Sequence, residues 1–172
     1  MRTITLIIIH CSATPEGKSL SAEACRQDHI RHRGFRDIGY HFYITRDGEI
    51  HPGRSLEKVG AHCRNHNTHS IGICYEGGLD AEGQAKDTRT LAQRGALLAL
   101  LRELKKKFPE ALIIGHHDLN PIKKCPCYPC VEEYRECRLV SISTHCIAMS
   151  VFDFYKYIAI FPARISCQNK YL

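Results

Sequence analysis

Two imidazoles and a thiol stand where this sequence has just run out of apolar strand residues, and together they could hold a metal ion. His10 follows the apolar run Ile4 to Ile9. His116 follows Ala111 to Ile114, in Gly115-His116-His117-Asp118, and Cys125 lies nine residues further on, in Lys123-Lys124-Cys125-Pro126. Nitrogen and sulfur donors of this kind suit Zn2+, and three protein ligands leave a fourth position for water. Zinc lowers the pKa of such a water to about 7, which supplies a nucleophile at neutral pH. The chemistry on offer is hydrolysis. Spacing alone leaves a plainer reading open, because a histidine at a strand end is commonly a satisfied structural residue. With eleven histidines and ten cysteines in the chain, other trios can also be drawn.

The elements that must carry these residues are readable from periodicity and punctuation. Thr3 to Ile9 is β-branched and continuous, as a central strand covered on both faces is. Ser19 or Ser21 can cap a helix over 22–33, which Gly34 ends. Tyr40 to Thr45, the Asp47-Gly48 turn and Glu49 to Pro52 predict a hairpin. Gly53 to Thr68 is loop-like, and Ser70 to Tyr75 is a further strand closed by Gly77-Gly78. Thr90 and Gln93 make a capping box, after which Leu97, Leu101, Leu104 and Phe108 recur along one helical face. Pro109 ends that helix, and Ala111 to Ile114 is another buried strand. Strands alternating with amphipathic helices, plus one hairpin, imply a mixed sheet with helices packed on it.

A chain of 172 residues is about one domain's worth. Its balance of apolar and charged residues is that of a globular protein, not of a disordered or fibrous one. The net charge of +6 favours a negatively charged partner, although Lys105 to Lys107 also suit a helix C-terminus. The opening apolar run is too short to span a membrane and lacks a small-residue cleavage site. That points to synthesis in a reducing cytosol, where several of the cysteines are free thiols or metal ligands and not bridges. Cys125, Cys127, Cys130 and Cys137 crowd one stretch, but their spacing fits neither common four-ligand zinc pattern. No basic helix with interleaved aromatics accompanies them, so nucleic acid is not expected as a partner.

Five strings occur in a fixed order: HCSAT after an apolar strand, GYHF before an R-D-G turn, N-x-x-SIGI running to GG, GHHDLNP, and K-x-CP. Together they resemble the amidase-2 family of N-acetylmuramoyl-L-alanine amidases, most closely its phage T7 lysozyme branch. Peptidoglycan recognition proteins belong to the same superfamily. The resemblance covers about residues 3 to 128. It implies an α/β single domain, with a mixed central β-sheet flanked by helices and one zinc ion at the strand ends. It also implies hydrolysis of the amide between N-acetylmuramic acid and L-alanine in peptidoglycan. His10, His116 and Cys125 fall on the family's zinc ligands. Tyr40 and Lys123 fall on its catalytic helpers, and a phenol and a cation suit the oxyanion formed when water attacks an amide carbonyl. His62 matches a substrate-side position, Asn67 a loop organiser, and His117 either points elsewhere or supports the first histidine of its pair. His29, His32 and His41 read as structural or exposed.

The pattern is broken at its end. An aromatic and an aspartate usually follow the Cys-Pro pair, but here Tyr128 precedes Pro129 and Cys130, which puts the last helix in doubt. The expected division is an amidase domain over 1–137 and a C-terminal extension of unknown structure over 138–172. That extension carries Phe152, Phe154, Tyr155, Tyr157, Ile158, Ile160 and Phe161, expected to pack away from the zinc or to form an oligomer contact. The expected location is cytoplasmic as made, with action on the cell wall after release. The competing reading is a recognition module that binds peptidoglycan without cutting it; the presence of Cys125 argues for catalysis.

Overall fold

The first apolar run becomes the middle of a sheet because both of its faces need covering: Ile7, Ile8 and Ile9 are wholly buried. A computed structural model describes residues 2–138. In chain order these form β1 (Leu6–Cys11), β2 (Thr14–Pro15), α1 (Ala22–Arg31), β3 (Phe42–Ile44) and β4 (Ile50–Pro52). There follow β5 (Ser70–Tyr75), β6 (Gly78–Leu79), α2 (Leu91–Lys107), β7 (Leu112–Gly115) and two single-turn helices, α3 (His116–Leu119) and α4 (Cys130–Glu133). The main sheet has the order β4-β3-β5-β1-β7. β1 runs parallel to β5 and β7, β3 runs parallel to β5, and only β4 is antiparallel, as the return strand of the hairpin. The mixed sheet with helices is therefore the architecture expected.

β3 is shorter than the expected 40–45 and α1 ends at Arg31; two further features differ from the sequence expectation. β1 starts later than Thr3 and runs past Ile9 to include His10 and Cys11, because its backbone ladder continues opposite Cys74 and Tyr75 of β5. Hydrogen bonding, not hydropathy, sets that end. A second, two-stranded sheet pairs β2 with β6 in parallel, carrying the same two chain segments onward beyond the main sheet.

The helices are held by the residues that predicted them. Ser21 accepts from the Ala24 N–H and caps α1. Thr90 Oγ1 accepts from the Gln93 N–H, and Gln93 Oε1 accepts from the Thr90 N–H, so both halves of the capping box form. Gln93 does more than cap: it is fully buried, and its Nε2 donates to the carbonyls of Ile44 and Glu76, fastening α2 to β3 and to the end of β5. Leu97, Leu101, Leu104 and Phe108 are all buried, as their spacing implied, and Leu100 joins them. Among the described residues no helix is long and apolar enough to cross a membrane. The expected boundary near 138 and the expected packing of the apolar extension concern residues outside those described.

Candidate metal centre

Parallel pairing brings the two histidines together. In the β1–β7 register Ile9 stands opposite Gly115, so His10 and His116 are the next residues at the carboxyl ends of adjacent strands. In open α/β sheets that edge is where ligands bind. His10 is buried and His116 is half-buried, with ring centroids 4.6 Å apart. The Asp118 Oδ2 accepts from the Gly115 N–H at 2.7 Å and pins the start of α3.

Cys125 reaches the same point from a loop. The His117 N–H donates to the Cys125 carbonyl at 2.8 Å, and the Tyr75 hydroxyl donates to the Pro126 carbonyl at 2.7 Å. The Cys125–Pro126 peptide is cis. The Cys125 Sγ then lies 3.8 Å from His10 Nδ1, and donor atoms of His10, His116 and Cys125 all fall within 4.8 Å of one another. Tetrahedral zinc with bonds of about 2.3 Å to sulfur and 2.0–2.1 Å to nitrogen separates such a pair by about 3.6 Å. The donor set fits the ion. The four-cysteine stretch is not gathered in this way among the described residues.

The surroundings favour the forms a metal needs. Burial holds the His10 imidazole well below its usual range, helped by His62 and His116. Burial and then the Lys123 charge lower His116. Both rings are thus neutral at pH 7, the ligating state. The Cys11 N–H donates to Cys125 Sγ at 3.1 Å, which fixes the sulfur beside the end of β1.

His10 Nε2 lies 3.1 Å from His62 Nδ1, and His62 Nε2 lies 3.3 Å from Ser70 Oγ. One assignment of protons satisfies the row: Nε2–H of His10 donates to His62, and Nε2–H of His62 donates to Ser70. That assignment leaves His10 Nδ1 bare toward Cys125. Burial, followed by the charges His41 and His116 can carry, pushes His62 down to about 3, so it remains a neutral acceptor. Gly72 makes room for it, since a Cβ there would stand 2.5 Å from the His62 ring. Asn67 Oδ1 accepts the N–H groups of both His62 and Cys63, which holds the loop that presents the ring.

Tyr40 stands beside His10, ring centroids 5.3 Å apart, with the His62 ring 6.4 Å away. Its backbone is fixed by Arg54, whose N–H donates to the Tyr40 carbonyl, and by His29, whose Nδ1 accepts the Gly39 N–H. Burial, then Cys74 and Cys125, push the phenol well up, so it keeps its proton. Lys123 is exposed and close enough to His116 to lower its pKa. His117 turns away, its Nδ1 3.3 Å from the Lys124 carbonyl and its Nε2 3.3 Å from Asp118 Oδ1. His29 and His41 are buried and His32 is exposed.

Sequence reasoning missed the clamp behind Cys125. The Arg89 side chain has no exposed surface; its guanidinium carbon lies 3.1 Å from the Tyr128 ring centroid. It donates to both oxygens of Asp87, both of Glu133, and the Tyr134 hydroxyl. With proline where an aspartate was expected, these contacts tie down the short last helix, α4. A charged residue just before a cap is an ordinary surface pattern, so nothing in the sequence marked Arg89.

The chain is similar to known proteins over most of its length. A family model described as N-acetylmuramoyl-L-alanine amidase matches residues 1–128. The endolysin of Enterobacteria phage K11 is 41% identical over 120 residues, 70% of this chain and 78% of its own length. The endolysin of Escherichia phage T7 is 39% identical over 122 residues, 71% of this chain and 80% of its own. Among solved structures, the endolysin N-acetylmuramoyl-L-alanine amidase LysCS of Clostridium intestinale superposes with a TM-score of 0.64 at 28% identity, covering 80% of this chain and 84% of that one.

Proposed function

Because the chain belongs to the N-acetylmuramoyl-L-alanine amidase family, we propose that it works as a zinc enzyme in which His10, His116 and Cys125 are the ligands. It is a peptidoglycan amidase of the phage endolysin kind, cutting the bond between N-acetylmuramic acid and L-alanine. The observation that carries the zinc assignment is the approach of the three donors to within 4.8 Å of one another at the sheet's carboxyl edge.

Zinc bound there would supply Lewis acidity for the amide carbonyl and an acidified water as nucleophile. The chain's own residues do the rest. Tyr40, protonated and beside His10, donates a hydrogen bond to the oxyanion and can pass its proton toward the departing amine. Lys123, exposed next to His116, sets a positive charge against the same oxyanion. His62 fixes the proton of His10 on Nε2, and its half-buried ring also faces substrate. The amidase domain takes 1–137, with 138–172 as an appended extension, and the wall polymer is the partner.

Digesting purified sacculi with the zinc-loaded protein tests the whole reading. Free stem peptides beside intact glycan strands are expected; shortened glycan, or binding without cleavage, overturns it. The donor set argues against the recognition-only alternative, since a binder has no use for three converging ligands.

A further inference from the structure

Cys11 and Cys127 flank the candidate metal site and, among the described residues, belong to no donor set. Their sulfurs lie 3.8 Å apart. Cys11 is the last residue of β1, beside His10, and Cys127 is two residues beyond Cys125. Local structure holds the two thiols face to face. Cys127 has φ 71, a left-handed conformation that residues bearing a Cβ seldom adopt. That turn is closed by its N–H, which donates to the Lys124 carbonyl at 2.7 Å. Its thiol donates to the Gly78 carbonyl at 3.2 Å. Gly78 itself has φ +100, and a Cβ there would meet Cys11 Sγ at 2.5 Å. A residue with a side chain at 78 would therefore crowd both sulfurs.

We propose that Cys11 and Cys127 are a dithiol that closes to a disulfide in oxidising surroundings, locking the loop that carries Cys125 onto the strand that carries His10. The proposal rests on the reading above in one respect: an enzyme that works on the cell wall acts outside the reducing cytosol. A disulfide needs its sulfurs about 2.05 Å apart, so each has to move only about 0.9 Å, a matter of side-chain rotation. Closure also removes the two thiols next along the chain to His10 and Cys125. A bond from either of them to Cys125 would take a ligand from the metal; a bond between them leaves all three donors intact.

The oxidant is a small-molecule or enzyme disulfide. Cys127 is the more accessible of the two thiols, so it reacts first. As thiolate it attacks one sulfur of the oxidant, whose S–S bond breaks, and the departing thiolate takes up the proton Cys127 lost. Cys11 then attacks the Cys127 sulfur of the mixed disulfide, gives up its own proton, and expels the second thiol. Two protein thiols are oxidised by two electrons, and one disulfide is reduced to two thiols.

The test uses the full zinc-loaded chain, incubated with oxidised glutathione at mildly alkaline pH and compared with the dithiothreitol-reduced protein. Mass mapping of a non-reducing digest should find one cross-linked peptide pair, joining Cys11 to Cys127 and lighter by two hydrogens. The oxidised protein should then yield zinc to a chelator at least about tenfold more slowly than the reduced one, the scale on which a ligand's surroundings alter metal affinity. Cys127→Ser should hold zinc as the reduced protein does and gain nothing from oxidation. Recovery of Cys11 and Cys127 as free thiols, pairing of either with Cys125, or equal zinc release before and after closure overturns the proposal. The peptide map does not depend on turnover, so failure of the sacculus digestion would leave its outcome readable.

Discussion

His10 leans on His62, not on a carboxylate or a backbone carbonyl: Nε2 of the one is 3.1 Å from Nδ1 of the other. Removing that support while keeping the ring's bulk, as in His62→Phe, should weaken zinc binding about 10–100-fold. His62→Gln, whose amide oxygen can still accept, should recover part of it. Competition titration against a zinc chelator measures both. Unchanged affinity with only a raised KM would place His62 on the substrate side alone.

Register decides between neighbouring donors. His116→Ala and Cys125→Ser should each lose most of the bound zinc and the amidase activity, because a serine hydroxyl is a far poorer ligand than thiolate. His117→Ala and, under reducing conditions, Cys127→Ser should retain about one zinc per chain. Metal analysis of the four purified variants is enough, and the reverse pattern would shift the ligands by one step.

Tyr40 and Lys123 are expected to act on the reacting amide and not on the metal. Tyr40→Phe and Lys123→Ala should keep zinc and fold but lower kcat about 100-fold, the usual cost of one lost oxyanion donor. Normal turnover in Lys123→Ala would assign that stabilisation elsewhere, with Lys124 the next candidate to examine.

Acid should unfold the protein partly through His41. This ring is almost fully buried; its Nδ1 accepts the Gly72 N–H, and Arg2 lies 3.0 Å from its Nε2. Burial, aided by Arg2 and Arg54, lowers it to about 4, below the roughly 6.5 of an unfolded histidine. The unfolded chain therefore gains the proton first, and stability present above pH 6.5 is lost as pH falls to 4. At pH 5 the loss from this one group is on the order of 2 kcal/mol. Urea unfolding of the metal-free protein between pH 7 and pH 5 should show it, and His41→Gln should flatten the slope. An unaltered slope in that variant assigns the acid sensitivity to the other buried imidazoles.

The clamp on α4 predicts a larger effect than its distance from the metal suggests. Arg89→Met leaves Asp87 and Glu133 with only the half-exposed Arg94 as their cation, a loss of about 2 kcal/mol for carboxylates that are themselves partly exposed. Thermal unfolding measures that loss. Zinc release should quicken as well, because Tyr128 sits three residues from Cys125.

Local signals in the sequence were read well. The Thr90–Gln93 box, the strand at 70–75 and the apolar face of α2 involve residues close in the chain, each stating its own conformation. The meeting of His10, His116 and Cys125 depended on ordered motifs, since no spacing could show that Ile9 pairs with Gly115. Hidden altogether were contacts made across the fold by residues of unremarkable type. Arg89 needed Glu133 from 44 positions away, and the sulfurs of Cys11 and Cys127 meet across 116. The extra reach of β1 past Ile9 was hidden for a related reason: its last two residues are kept in the strand by a neighbour's backbone, which leaves no trace in their own side chains.

The place of β1 has a consequence for synthesis. The strand is made well before both of its sheet neighbours, β5 and β7. Until residue 115 exists, one edge of the most apolar segment in the fold has no β7 to pair with, and the last thiol donor is later still. Pairings this distant are slow to form and leave such a segment open to aggregation. A nascent chain can therefore assemble the proposed donor set only once residue 125 has been translated, which would keep the hydrolase silent until then.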